Sequence, residues 1–563
     1  MATEAQPGSI GADFGRPTWR VQDALRSDFF GAALLAAITG ILYWLTLTHY
    51  NTFDAVSYAN QIGRVYEATH DRRWLFHPHH LLFNITNYLF WRGAQTLGYV
   101  GGPLVVMQRL NSVLGALGIG LFYLLLRRMM IRSHGLPALT AAGLALSFGY
   151  WVCATDGRVN MPHLFFLLAA FYALQCDRTL ISTRTAAIAG MLAGVAVLYH
   201  ESAGLFLPVV LVGVALAAPT KTARVMMMLA CGAAWLGTVI VPYVLVSTLA
   251  LHLHSWHAFR QWTTEYAELG WWWSFNIPHN LRLDLYAFRY AAFVEPPGKQ
   301  GTFSLAQHIP WDTRLLYFGA LGGWFVAVYA FFAALPLLWR SHHRRVLIVC
   351  LLWIALYAAF FTVWCAGYFV FWVPVLVPTG LLLALGMSHF RSGRGGRWVN
   401  GLLGLWIILF AAVNWTDNIG PHLRSGADPF QRIAANIHAH TRPGDLILLS
   451  GAGEQGEDEV FIPYFANRNV ISLHTLLTRA HDNKTLAYTN AQAAMQAAWA
   501  TGHAVYGLNE LWHGSQAWDA LRRRHPGVAL SDLSSWAVRA PTPAWTDIHG
   551  RPIWRLVPLQ RTP

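Results

Sequence analysis

Hydrophobic positions in this chain gather into long blocks separated by short polar breaks. Apolar runs stand near residues 29–48, 103–126, 137–154, 160–176, 185–199, 202–218, 225–250, 315–339, 346–364, 368–389 and 398–415. Each approaches the roughly twenty apolar residues that a helix needs to cross a bilayer, so the pattern predicts about eleven transmembrane helices. The runs at 160–176 and 185–199 are short and crowded. Two polar excursions are long, 50–102 and 251–314. The second interleaves Trp, Tyr and Arg, as in HSWHAFRQWTTEYAELGWWWSF, which suits helices lying in the membrane interface. Trp271, Trp272 and Trp273 there read as an aromatic belt.

After about residue 420 the period changes. DPFQRIAANIHAH, AQAAMQAAWATG and AWDALRRRH read as helices, DLILLS and HAVYGL as strands, VISLHTLL as a strand entering a helix, and WAVRA and PIWRLV as late strands. Alternation of this kind predicts a small α/β domain. The expected fold is therefore an α-helical polytopic membrane protein with a C-terminal soluble α/β domain. Its parts are an N-terminal segment over 1–28, a membrane domain over 29–420 and the α/β domain over 421–563.

Composition agrees. Hydrophobic residues make up 55% and charged residues 12%, against about a quarter charged in soluble chains. The formal net charge of +13 bears on topology before nucleic acid, for which no module is visible. The short loops 127–135, 177–184, 219–224, 340–345 and 390–397 are all basic, whereas ATDGRVN, YHES and WCAGY carry almost no excess positive charge. The positive-inside bias then predicts a cytoplasmic N-terminus and an outer, periplasmic or luminal C-terminal domain, as in a bacterial inner membrane. The first apolar run lacks a signal-peptidase exit and reads as an uncleaved anchor. Cys153, Cys176, Cys231, Cys350 and Cys365 lie in or beside apolar runs without a CxxC pair, which argues against a disulfide framework or structural metal.

Within the α/β domain, Gly451, Gly453 and Gly456 spell GAGEQG after a strand, matching a dinucleotide fingerprint. Glu457, Asp458 and Glu459 follow at once, where a pyrophosphate would need a positive helix N-terminus. The stretch is expected to be a structural turn.

The candidate chemistry lies on the outer face. The first excursion supplies Asp54, Arg64, Arg72, Arg73, His77, His79 and His80. Two short turns add Asp156 and Arg158, then His200 and Glu201, and the second excursion adds His257, Arg260, Glu265, Arg282 and Arg289. A carboxylate at a helix exit can act as general base toward an acceptor hydroxyl or amine. Arginines and histidines beside it can hold a phosphate.

Asp54 just after the first transmembrane helix, Asp156 in the second outer loop, the HPHHLL segment at 77–82 and the long aromatic loop together resemble the GT-C membrane glycosyltransferases. Similarity is to the protein O-mannosyltransferases and the lipid A aminoarabinose transferases, the latter also in the C-terminal α/β domain. The resemblance implies a glycosyltransferase that moves a hexosyl or pentosyl group from a polyprenyl-phosphate donor to a lipid, glycan or protein acceptor. It makes Asp54 the catalytic base and Asp156 a second acidic site residue. Arg72, Arg73, His77, His79, His80, Arg158, His200, Glu201, Arg282 and Arg289 become candidates for donor phosphate or substrate. Unlike the protein mannosyltransferases, Asp54 is followed by Ala55 and not by a second acid. The His-rich HPHH and YHES leave room for a divalent metal, although no fixed ligand spacing is present. The competing expectation is a transporter or flippase for a lipid-linked sugar, which predicts mid-membrane charges and internal repeats that the sequence does not display.

Overall fold

The computed structural model describes residues 18–130, 134–175, 182–268, 273–294, 311–341, 343–389, 395–452, 456–508, 511, 516–536, 538–539 and 543–558. Trp271, Trp272, Cys176 and Gly453 therefore lie outside the described residues. Among those described, seven helices are long and apolar enough to cross a membrane, and the pair Gly135–Leu146 and Phe148–Thr155, bent by 62°, would make an eighth. Three shorter apolar helices, Asn160–Leu174, Thr183–Tyr199 and Glu201–Ala217, complete the set. These elements coincide with the eleven predicted stretches. The shortest, around 160–175, is also largely buried. A helix enclosed by protein is freed from matching the bilayer thickness, because its ends meet side chains and not lipid.

Small residues let the helices approach closely, as membrane packing requires in the absence of a hydrophobic drive between spans. A methyl group on Gly190 would lie 2.2 Å from the Cys231 carbonyl oxygen of the neighbouring helix Lys221–Leu245. The first helix, α1 (Thr18–Leu45), packs in the same way on the helix Pro103–Met129.

The first excursion opens with α2 (Phe53–Asn60), runs through a π-turn at Gln61–Val65 and 3-10 turns at Arg72–Trp74 and Pro78–His80, and ends in the helix Phe83–Thr96. The second holds the helices Trp256–Glu268 and Ile277–Ala292.

The C-terminal domain is built on β1 (Leu446–Leu449), β2 (Asn469–Ser472), β3 (Val505–Gly507), β4 (Val538–Arg539), β5 (Pro543–Thr546) and β6 (Pro552–Pro558). The order is β2-β1-β3-β6-β4, with β5 pairing β6; β1 is parallel to β2 and β3, whereas β6 is antiparallel to β3. Leu446 and Leu448 face one apolar core and Ile447 and Leu449 the other, so β1 is covered on both sides. Hydropathy alone missed β5, which has no apolar run.

This domain sits directly on the first excursion. Val460, Phe461, Phe430, Tyr464 and Phe465 share one apolar cluster with Ala55, Val56, Ala59 and Ile62. Asp428 anchors the junction: it caps the helix Pro429–His440 and accepts from the Asn51 backbone N–H at 3.2 Å. Gln431 donates to the His49 carbonyl at 2.8 Å, and Tyr50 stacks on His422 at 4.4 Å.

Candidate active site

Thr52 is the hinge on which the site is built. Its hydroxyl caps α2 by accepting from Ala55 N at 3.5 Å, accepts from Arg158 Nε at 3.1 Å and donates to Asp156 Oδ2 at 2.6 Å. One donor and two lone pairs are thus all used. Capping puts Asp54 in the first turn of α2, two residues on from the hydroxyl that binds both members of the Asp156–Arg158 pair.

That pair is enclosed. Asp156 is fully buried, Arg158 is 5% exposed, and their ion pair spans 2.8 Å. Asp156 also accepts from Gly157 N at 2.8 Å, and Asn111 donates to the backbone carbonyls of Asp156 and Arg158 at 2.7 and 2.6 Å. Asn111 belongs to a polar ladder, with Gln108 and Ser112, on one face of a largely apolar helix. Gln108 reaches Thr48 and Asn51, and Ser112 reaches Ala154. Polar residues at this spacing inside a span are the signal that could have pointed to them.

Asp54 is half-buried, and its carboxyl is pushed up from the usual range by loss of solvent, opposed by Arg158 and reinforced by Asp156. Arg158 is held above its ordinary pKa despite burial, because Tyr368 and Asp156 favour its charge. Its Nη1 has no hydrogen-bond partner, and its guanidinium lies 5.8 Å over the Phe369 ring. Arg158, Asp156, Thr52, Tyr50, Tyr290, Phe369 and His422 line a cavity of about 160 Å³, large enough for a six-membered ring.

A second group of residues continues from Asp54 along α2. Tyr58, one turn on, meets His80 edge-on at 4.6 Å. His80 stacks on His77 at 4.3 Å, His163 lies 5.3 Å from His200, and His200 contacts Phe371 at 6.1 Å. His79 Nδ1 pairs with Glu201 at 2.6 Å, and the Tyr243 hydroxyl donates to the Pro78 carbonyl. Burial first, then mutual repulsion, lowers His77 and His200 to about 3 and His80 well below its usual value, so all three are neutral at pH 7. They offer N–H groups to an anion and not fixed positive charge. His80 Nδ1 and His163 Nε2 are buried without a partner.

Among the described residues no three His, Cys, Asp or Glu side chains converge as metal ligands. The His77 and His80 rings lie face to face.

The remaining expected residues have other surroundings. Arg72 is exposed, and Arg73 is exposed and paired with Asp71 at 3.3 Å. Arg282 is exposed, and Arg289 is sandwiched by Tyr286 and Tyr317, donating to the Tyr317 hydroxyl. Arg64 reaches Asn469 of the C-terminal domain at 3.0 Å.

Sequence reasoning also overlooked the WCAGY turn. Cys365 and Gly367 adopt φ of 56° and 85°, and Asp284 accepts from Gly367 N at 3.2 Å. Burial first, with the Asp54 charge adding, raises Tyr368 and Cys365 to about 12, against the pull of Arg158 on Tyr368. The overlooked acid is Glu457 of the C-terminal domain. Burial, Asp54 and Asp428 push it up to about 7, against the pull of Arg158.

No protein-family model matches the chain, and no curated protein matches its sequence. Solved structures do. The chain superposes on ArnT from Cupriavidus metallidurans bound to undecaprenyl phosphate with a TM-score of 0.57 at 12% identity, covering 93% of this chain and 97% of that one. Against apo ArnT from the same organism the TM-score is 0.53 at 13% identity, covering 93% and 98%. An Archaeoglobus fulgidus oligosaccharyltransferase in the apo form aligns more loosely, with a TM-score of 0.45 at 12% identity, covering 98% and 75%. Similarity to ArnT runs through both the helical bundle and the C-terminal domain, and the fold of this chain is the GT-C fold.

Proposed function

We propose that this integral membrane protein is a glycosyltransferase that moves a sugar from a polyprenyl-phosphate donor to an acceptor by a single, inverting displacement. The observation that carries the proposal is the placement of Asp54, at the head of α2, beside a buried Asp156–Arg158 pair whose guanidinium keeps Nη1 unpartnered at a cavity. ArnT, which shares the fold, binds undecaprenyl phosphate. Asp54 takes the acceptor proton as the acceptor attacks the anomeric carbon, and its raised pKa matches a base that must also hold a proton. The C–O bond to phosphate breaks, and polyprenyl phosphate leaves with the bonding electrons. Arg158 holds its charge, and the N–H groups of His77, His80 and His200 add hydrogen bonds. Asp156 keeps Arg158 oriented.

The test is product formation by purified protein in lipid nanodiscs. Donors are undecaprenyl phosphates carrying a labelled hexose, pentose or amino-pentose, and acceptors are lipid A, an oligosaccharide and a Ser/Thr peptide. Asp54→Asn should lower transfer by about 10²–10⁴-fold with little change in undecaprenyl-phosphate binding. A folded Asp54→Asn variant that turns over at the wild-type rate would refute the assignment.

A further inference from the structure

Two flanks of opposite character meet at Asp54. On one stand Arg158 and the histidine group along Tyr58 and His80. On the other stand two acids of the C-terminal domain: Asp428, bonded to the Asn51 N–H just before α2, and Glu457, at the start of the short helix Asp458–Phe461 that packs on α2. An anionic phosphate is attracted to the first flank and repelled by the second, so the carboxylate flank is left for the partner that carries no negative charge.

Glu457 is held there by the fold. Gly451, with φ of 68°, turns the chain out of β1 so tightly that a side chain on it would collide with Ser472. The Glu457 carbonyl accepts from Val460 N and Phe461 N at 3.0 and 3.1 Å, starting the short helix Asp458–Phe461. Val460 and Phe461 are buried in the apolar cluster shared with α2, and the Tyr464 hydroxyl accepts from Leu104 N at 3.3 Å. The short helix that follows the glycine motif is therefore pressed onto the helix that carries Asp54.

We infer that Glu457 determines acceptor specificity, its carboxyl group hydrogen-bonding an acceptor hydroxyl next to the one that Asp54 deprotonates. The inference rests on the glycosyltransferase assignment above and makes the C-terminal domain part of the site. Burial, Asp54 and Asp428 raise Glu457 and Arg158 opposes them, so near neutral pH it passes between a hydrogen-bond donor and an acceptor.

The experiment uses full-length protein and the donor–acceptor pair with which the wild type forms product. Glu457→Ala should raise the acceptor KM about 10- to 100-fold, the loss of one hydrogen bond to a charged group. The kcat at saturating acceptor and the affinity for undecaprenyl phosphate should stay within about twofold. Glu457→Gln should recover part of the KM and lose its ionisation near pH 7, and infrared difference spectra should lose a carboxyl band titrating there. Unchanged acceptor KM in both folded variants overturns the inference while leaving the transfer chemistry standing, as does an equal loss of donor affinity. Absence of product from every donor with the wild type removes the assignment and this inference together.

Discussion

At the scale of single residues, Asp54 and Asp156 are both carboxylates at one site, yet their environments set them opposite tasks. Asp156 has its charge matched by Arg158 and its oxygens filled by Thr52 and Gly157. Removing it leaves a buried guanidinium without a counter-charge, so Asp156→Ala should destabilise the protein by about 3–5 kcal/mol. Asp54 is raised by burial and by Asp156, so Asp54→Asn removes a strained charge and should leave the melting temperature equal or higher. Thermal unfolding in one detergent checks both signs; equal losses from the two variants would remove the distinction. The histidines add a pH window. His77 and His200 titrate near 3 when folded, against an ordinary value of 6.5. The unfolded chain binds their protons first as pH falls, so the stability they contribute is complete above about 6.5 and is lost toward 3. His200→Gln should flatten that acid limb.

At the scale of elements, the N-cap of α2 joins local structure to chemistry. Thr52 ends the extended link from α1, starts the helix and fixes Asp156 and Arg158 with the same oxygen. Thr52→Val keeps the shape and removes every one of those bonds, at about 1–2 kcal/mol. Transfer should fall with it, because Arg158 loses its orientation toward the cavity. Thr52→Ser should retain both stability and activity. Melting and turnover of the two variants form the check, and identical behaviour would show that the hydroxyl is idle. The spans were legible in the sequence because twenty apolar residues in a row have few other uses. Asp54, Asp156 and Arg158 stood out in the sequence because charges at span ends are sparse, and the Thr52 hydroxyl links the start of α2 to the last two. Thr52, Asn111 and Tyr368 did not stand out, since their roles come from contacts between distant segments and their types are unremarkable one at a time. Glu457 was read as the reason a glycine motif could not bind nucleotide. Its proximity to Asp54 depends on how the C-terminal domain docks, and no local pattern encodes that.

For the whole molecule, docking of the C-terminal domain is the step that brings Glu457 to Asp54, and Asp428 is its pin. Asp428 is fully buried, and its two oxygens accept from Phe430 N at 2.9 Å, Gln431 N at 3.3 Å and Asn51 N at 3.2 Å. Two of these bonds cap a helix of the domain, and the third ties that helix to the residue before Thr52. Asp428→Ala leaves three backbone donors with less satisfaction at a buried junction, each costing about 1–3 kcal/mol where no water replaces the carboxylate. The membrane bundle has its own core and should stay folded, as should the sheet with apolar cover on both faces. The expected outcome is a domain that detaches without unfolding. Limited proteolysis should cut faster near 423–428, where the chain leaves the last membrane helix. Transfer should fall through a weaker acceptor KM, since the acceptor flank has moved away, whereas undecaprenyl-phosphate affinity should persist because Arg158 and the histidines all belong to the membrane domain. Asp428→Asn keeps an acceptor oxygen for the cap and should lie between the two. If Asp428→Ala instead weakened donor binding and left the acceptor KM intact, the division of the site between bundle and C-terminal domain would have to be reversed.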